Sequence, residues 1–234
     1  MNFYFEGVRR AAGREGGNII ITRLPEGWFW QIPITGTVTS IGFVARSEAM
    51  RASGLGPGEW FDRNLAASPA LRRRCAEAVA INEYRATADY SHMYRDFAGP
   101  RHFLLGDAAT FSDPIFSSGV YLGLESARLA AEAILRSDGR GRGLSASAQA
   151  GYTRALKRRT RRVRHLIDAF YDDSGFAVFM NPSERFSLFA AVNSVVAGQL
   201  EPEWPVRWRY ALFRFICRLN RNYRLMPNAL GEAR

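Results

Sequence analysis

The sequence predicts a mixed α/β protein, an antiparallel sheet followed by a helical C-terminal region. Three observations carry this. Short β-branched and aromatic runs separated by turn residues fill the chain up to about residue 46. Apolar residues from residue 118 onward recur at helical spacing. Between the two lies an apolar strand that ends in Gly-Asp and leads through Ser-Ser-Gly into a long helix. At 234 residues the chain fits one large or two small domains, and its 47% hydrophobic content suits a buried core.

The first strands are Phe3-Tyr4-Phe5, Asn18-Ile19-Ile20-Ile21, Trp28-Phe29-Trp30-Gln31-Ile32 and residues 37–44. Gly16-Gly17, Pro25-Glu26-Gly27 and residues 33–36 punctuate them. Pro57-Gly58-Glu59 opens a helix through Ala67. Ser68-Pro69 supplies an N-cap and first-turn proline for a second, through about Ala78. Further strands are predicted at residues 86–92 and 102–105. Val120, Leu124, Ala127, Ala131 and Ile134 then fall at i, i+4, i+7, i+11 and i+14, one face of a helix. A Gly/Arg loop occupies residues 138–143. Helices follow at residues 148–171, 183–196 and 205–220. The resulting divisions are residues 1–100 (sheet with two helices), 101–137 (the Gly-Asp segment and its helix) and 138–234 (C-terminal helices).

The formal charge is +10, yet Lys157 is the only lysine among 32 basic residues. Arginine in place of lysine, with abundant Ala and Gly, points to a GC-rich coding background more than to a nucleic-acid partner. Cys75 and Cys217 form no CxxC pair and no disulfide framework, which favours a reducing cytoplasm. Neither a signal-peptide pattern nor an apolar run long enough for a membrane span is present. His92, His102 and His165 have no metal-ligand spacing and read as surface or core residues, so no metal is expected. Asp172-Asp173 reads as a solvated helix end, and residues 158–164 as a solvated basic face. On the last helix Trp208, Leu212, Phe215, Ile216 and Leu219 form an apolar stripe beside Arg207, Arg214, Arg218 and Arg221. That stripe packs on the core or meets an anionic membrane or acidic carrier protein.

The chemistry resides in residues 103–120, FLLGDAATFSDPIFSSGV. Gly106 permits close approach to the backbone. Asp107 can accept hydrogen bonds from sugar-type hydroxyls. The amides near Ser118, Gly119 and Val120 head a helix and favour negative charge.

This segment resembles the second flavin-binding motif of the flavin monooxygenase superfamily, and its Asp-Pro-Ile-Phe-Ser-Ser-Gly-Val form resembles the flavin-dependent halogenases. Trp28-Phe29-Trp30-Gln31-Ile32-Pro33 is similar to their Trp-x-Trp-x-Ile-Pro signature. The resemblance implies a partial flavin monooxygenase-type fold. In it Gly106 and Asp107 would hold the ribityl chain of FAD, Gly119 and Val120 the flavin edge, and Ser118 and Gly119 chloride. Trp28 and Trp30, two apart on a strand and facing one side, would line a water-poor reaction channel. It further implies FAD reduced by a separate flavin reductase, a place in secondary metabolism, and a small aromatic substrate, free or tethered to a carrier protein.

Three departures stand beside it. Gly54-Leu55-Gly56-Pro57-Gly58 is no strand-borne Gly-x-Gly-x-x-Gly, so the N-terminal dinucleotide-binding βαβ unit is expected to be absent. The family's catalytic lysine is expected to be absent with it, because Lys157 sits in Ala-Leu-Lys-Arg-Arg on a helix and reads as solvated. Phe116 stands where tryptophan-directed members carry glutamate, which resembles the phenolic or pyrrolic branch. Three readings remain: the C-terminal part of a halogenase, a remnant or accessory subunit that complements an N-terminal half in trans, and a basic membrane- or nucleic-acid-binding module.

Overall fold

The structure, a computed structural model, describes residues 1–88, 90–137, 143–181 and 184–227. Two compact units emerge, Met1–Asp89 and Tyr90–Arg234, so residues 90–100 go with the second unit.

The first unit carries β1 (Asn2–Glu6), β2 (Ile20–Leu24), β3 (Gly27–Pro33), β4 (Thr39–Ala45) and β5 (Val79–Ala80), in the spatial order β2-β3-β4-β1-β5. Every pairing is antiparallel, as predicted. The second strand lies later than expected, because residues 13–17 form a 3-10 turn whose carbonyl at Glu15 holds the Asn18 amide. Alternation sends Phe3, Phe5, Phe29, Ile41 and Phe43 to one face. There they pack with Trp60, Phe61 and Leu71 into one buried cluster. Each side chain fully removed from water contributes about 1.5–3 kcal/mol.

Three helices follow β4: α1 (Ser47–Ser53), α2 (Pro57–Ala67) and α3 (Pro69–Arg74). The sequence reading missed α1, a short helix without a side-chain cap. Helix α2 begins at Pro57, and the Glu59 carboxylate accepts the Gly56 amide at 3.1 Å. The glycine-rich stretch thus joins two helices: Gly54 ends α1 in the left-handed region (φ +69°) and Gly56 caps α2. Ser68 caps α3 as expected, accepting the Leu71 amide. Helix α3 stops at Arg74, four residues short of the expected end, where the chain turns into β5.

In the second unit the predicted strands shrink to β6 (His92–Met93) and β8 (His102–Phe103). They pair with the unforeseen β9 (Thr110–Phe111) and β7 (Ala98–Gly99) respectively. Residue 89, within the predicted 86–92 strand, lies outside the described residues, as do residues 138–142 of the Gly/Arg loop and residue 183 of the predicted third helix. Helix α4 spans Gly119–Arg136 and α5 spans Ala146–Tyr171. The rest are α6 (Asp173–Met180, not foreseen), α7 (Leu188–Val196) and α8 (Trp204–Tyr223). Helix α5 is the spine, packed by α4, α6 and α7.

Side-chain burial departs from the sequence expectation at Arg159, Lys157 and the α8 stripe, and it decides which way the α4 face looks. The face Val120, Leu124, Ala127, Ala131, Ile134 is exposed, whereas Ser126 and Ala130 turn inward. Of the basic run, Arg158, Arg161 and Arg164 are exposed as expected, but Arg159 is 5% exposed and pairs with Glu125 on α4 at 2.8 Å and Glu201 at 3.0 Å. Lys157 is half-buried, with its ammonium on the Arg95 carbonyl and 5.3 Å from the Phe97 ring centre. On α8 the buried residues are Tyr210, Phe213 and Asn220, while Phe215 of the expected stripe is exposed. The common cause is that apolar spacing marks a face without saying which neighbour the fold sets against it.

Candidate functional site

Strand β8 runs into a 3-10 turn at Gly106–Ala108. Gly106 adopts φ +49°, a conformation that favours glycine. A side chain there would also come 3.1 Å from the Gly123 Cα on α4. The turn is tied to α4 by the Gly106 amide, which donates to Ser126 Oγ at 2.9 Å, and that hydroxyl donates to the Gly123 carbonyl at 2.7 Å. Ser126 is wholly buried.

The Asp107 side chain is exposed. Among the described residues its carboxylate accepts no hydrogen bond and joins no ion pair. A methyl group on Gly119 would stand 3.6 Å from its Oδ1, so the carboxylate lies against the first residue of α4. Gly119 and Val120 head that helix with amides that have no acceptor one turn back. Ser118 precedes them as N-cap without a capping side-chain bond, and neither its hydroxyl nor that of Ser117 has a partner among the described residues. Ser117 is left-handed (φ +50°) although it is not glycine. A carboxylate and a positive helix end thus converge, each with open hydrogen-bonding capacity.

Asp113 has the opposite character. Its Oδ1 accepts the Ile115 amide at 2.9 Å and its Oδ2 accepts the Tyr171 hydroxyl at 2.7 Å. Burial raises this carboxyl above the ordinary value, although the two hydrogen bonds act the other way. It holds the Pro114–Phe116 turn that delivers Ser117-Ser118 to α4. Beside that turn lies a cavity of about 160 Å³ lined by Phe116, Ser117, Ser118, Tyr121, Leu166 and Gly198, among others.

On β3, Trp28 and Trp30 share one side of the strand, their ring centres 5.8 Å apart, as their spacing requires. Trp28 is buried and Trp30 half-buried. The Trp30 indole donates to Ser40 Oγ at 3.2 Å and lies flat over Gly42, where any Cβ would intrude into the ring.

Sequence patterning gives no reason to single out Ser126 or Tyr121, and histidine spacing sets His92 aside. Ser126 sits one turn from Leu122, outside the apolar spacing that drew attention to α4. Histidine spacing tests for metal ligation alone and is silent on a carbonyl brought to His92 from fifteen residues on. No group of metal-ligating side chains occurs among the described residues, and no described helix is long and apolar enough to cross a membrane. Both cysteines are free thiols. Asp172 caps α6 by accepting the Gly175 amide at 2.8 Å.

The profile of the tryptophan halogenase family matches residues 21–176. Tryptophan 2-halogenase of Chondromyces crocatus is 31% identical over 172 residues, 72% of this chain and 33% of that protein. The 1H-pyrrole-2-carbonyl-[peptidyl-carrier protein] chlorinase of Pseudomonas fluorescens is 39% identical over 108 residues, 46% of this chain and 24% of that protein. The solved flavin-dependent brominase Bmp2 superposes with a TM-score of 0.76 at 25% identity, over 92% of this chain and 54% of its own. The chain therefore spans a quarter to a third of these curated relatives and about half of the solved one. The matched region holds both the Trp-x-Trp strand and the Gly-Asp turn with its helix, and the chain belongs to the tryptophan halogenase family of flavin-dependent halogenases.

Proposed function

We propose that this chain supplies the ribityl-binding turn and the halide-side helix start of an FAD-dependent halogenase acting on an electron-rich phenolic or pyrrolic ring. One observation carries the reading: the unpartnered Asp107 carboxylate lies against Gly119 at the head of α4. Bound reduced FAD would supply, with O₂, the oxidising power that turns chloride into an electrophile, and a separate reductase would return the flavin to its reduced form. The chain's own residues bind and orient. Asp107 accepts a ribityl hydroxyl, and Gly106 lets the flavin approach the backbone. The amides of Gly119 and Val120 face the flavin edge, where a helix N-terminus stabilises negative charge by up to about 2 kcal/mol when partly buried. Ser118 and Gly119 hold chloride. Trp28 and Trp30 keep water from the reactive halogen species.

The substrate class follows from two features. Phe116 occupies the place of the glutamate in tryptophan-directed members, and with Tyr121 it gives the adjoining cavity aromatic walls suited to a ring. A pyrrole tethered to a carrier protein is the substrate named for one relative, and the same chemistry would suit this cavity.

We further propose that the site is completed by the remainder of the family fold, in the same chain or in trans. That remainder would bring the dinucleotide-binding βαβ unit and the catalytic lysine. The α4 face supports this. Val120, Leu124 and Leu135 are 78%, 69% and 84% exposed, an apolar stripe of the kind that marks an interaction surface.

FAD titration by flavin fluorescence tests both parts. The chain alone should quench little, and tight stoichiometric binding would show that nothing further is required. Supplied with the remainder of the fold it should bind, and a continued lack of binding would sink the flavin reading.

A further inference from the structure

The Gly106–Ala108 turn is gripped from three sides. Ser126 takes the Gly106 amide from α4 at 2.9 Å, and the Tyr152 hydroxyl donates to the Leu104 carbonyl from α5 at 2.7 Å. The third grip reaches Asp107 itself. His92 Nε2, on β6, lies 2.9 Å from the Asp107 carbonyl oxygen, fifteen residues on, while Nδ1 lies 3.1 Å from the carbonyl of Tyr90. The histidine backbone is anchored before its ring reaches across. It pairs with Phe111 of β9, and its carbonyl accepts the Thr110 hydroxyl at 3.0 Å. The Tyr94 ring meets the imidazole edge-on, with centres 5.7 Å apart.

We propose that His92 is a positioning residue, whose Nε2–H fixes the Asp107 peptide and so aims its carboxylate at the head of α4. The value of that aim rests on the flavin reading above, but the clamp does not. The Asp107 carboxylate has no hydrogen bond of its own among the described residues, so the main chain, by setting the Cα–Cβ direction, is what places it. On one side the main chain is left-handed Gly106, the residue type with the most backbone freedom. On the other side the Ala108 amide, which donates to the Leu105 carbonyl at 3.0 Å, holds one edge of the Asp107–Ala108 peptide, and a donor on the Asp107 carbonyl holds the opposite edge and so restricts its rotation further. Neither Ser126 nor Tyr152 can do so, because both act before Asp107.

The two ring nitrogens can be separated by substitution. A glutamine amide nitrogen can stand where Nε2 stands, and an asparagine nitrogen where Nδ1 stands. Hydrogen–deuterium exchange of the Ala108 and Ala109 amides, which close the turn onto Leu105 and Gly106, is to be measured on the whole chain. His92→Asn should speed their exchange about 5- to 10-fold, the equivalent of one net hydrogen bond. His92→Gln should stay within about twofold of the parent, well under the effect of one such bond. The proposal is overturned if His92→Asn exchanges like the parent, if His92→Gln exchanges as fast as His92→Asn, or if His92→Asn fails to fold. Asp107→Ala keeps the carbonyl and should leave exchange unchanged. If that variant also left FAD affinity untouched in a flavin-binding preparation, the flavin reading would fail while the clamp stood.

Discussion

Two aspartates six residues apart do opposite jobs because of what surrounds their oxygens. Asp107 is exposed and has no partner among the described residues, so it is available to a ligand. Asp113 has both oxygens engaged by Ile115 and Tyr171, so it is committed to the fold. With the rest of the family fold supplied, Asp107→Ala should weaken FAD binding roughly 10- to 150-fold, the loss of one charge-assisted hydrogen bond. The same change should barely move the thermal midpoint. Asp113→Ala should do the reverse, at a cost of about 2 kcal/mol in denaturant unfolding, with FAD affinity kept in the folded fraction. If Asp113→Ala loses flavin and Asp107→Ala does not, the Gly-Asp assignment is wrong. Gly42 offers a second residue-scale test. A methyl group there runs into the Trp30 ring, so Gly42→Ala should destabilise by about 1–3 kcal/mol through overpacking and shift the tryptophan emission. An unchanged spectrum and midpoint would show that the ring has room to move.

At the scale of elements, α4 is a helix with two working faces. Ser126 and Ala130 hold it to the Gly-Asp turn and to the cluster of Phe97, Tyr152 and Leu156. Glu125 ties it to α5 through Arg159, with Arg128 on its solvent side. The hydrogen bond from Arg128, followed by the charge of Arg159, holds the Glu125 carboxyl below its ordinary value of 4.5 against the opposing effect of burial. The sign of the pH effect follows. A carboxyl lowered on folding contributes its full stability above the unfolded value and loses it as pH falls through the folded one. Unfolding free energy should therefore drop as pH falls below about 4.5, and Glu125→Gln should flatten that acid limb. An unaltered limb would show that Glu125 does not link α4 to α5 in solution. Removing Arg159 takes from Glu125 its only partner on α5 among the described residues and leaves it to Arg128 on its own helix, so Arg159→Ala should cost about 1.5–3 kcal/mol, the loss of a hydrogen bond to a charged group.

For the whole molecule, the expectation is dependence on the remainder of the family fold. The chain spans 54% of the solved brominase chain, and α4 exposes an apolar stripe. Given flavin reductase, NADH, chloride and O₂, the chain alone should not chlorinate a phenol or pyrrole regioselectively. Chlorination of a general hypochlorous acid probe would leave this untouched, because free oxidant also does that. A single regioselective chlorinated product from the isolated chain would refute it.

Much of this protein was legible in its sequence because the signals are local. Alternation along 28–32 set the faces of β3, Pro57 and Ser68 started α2 and α3, and Gly-Asp with Ser-Ser-Gly marked a turn and a helix head whose backbone chemistry depends on few neighbours. The order of those motifs identified the family. What the sequence alone did not settle was pairing between distant residues. Strands β5, β7 and β9 are two residues each, too short for any periodicity to reveal, and exist only because a partner strand lies beside them. The spacing of Val120, Leu124 and Ile134 marked a face correctly yet could not tell whether that face looks inward. Arginine in a basic run looks solvated until Glu125 and Glu201 arrive from 34 and 42 residues away to bury it. His92 resembles any strand histidine until the turn fifteen residues on brings the Asp107 carbonyl to its ring. Local sequence sets what a residue can offer, and only the tertiary fold decides what it meets.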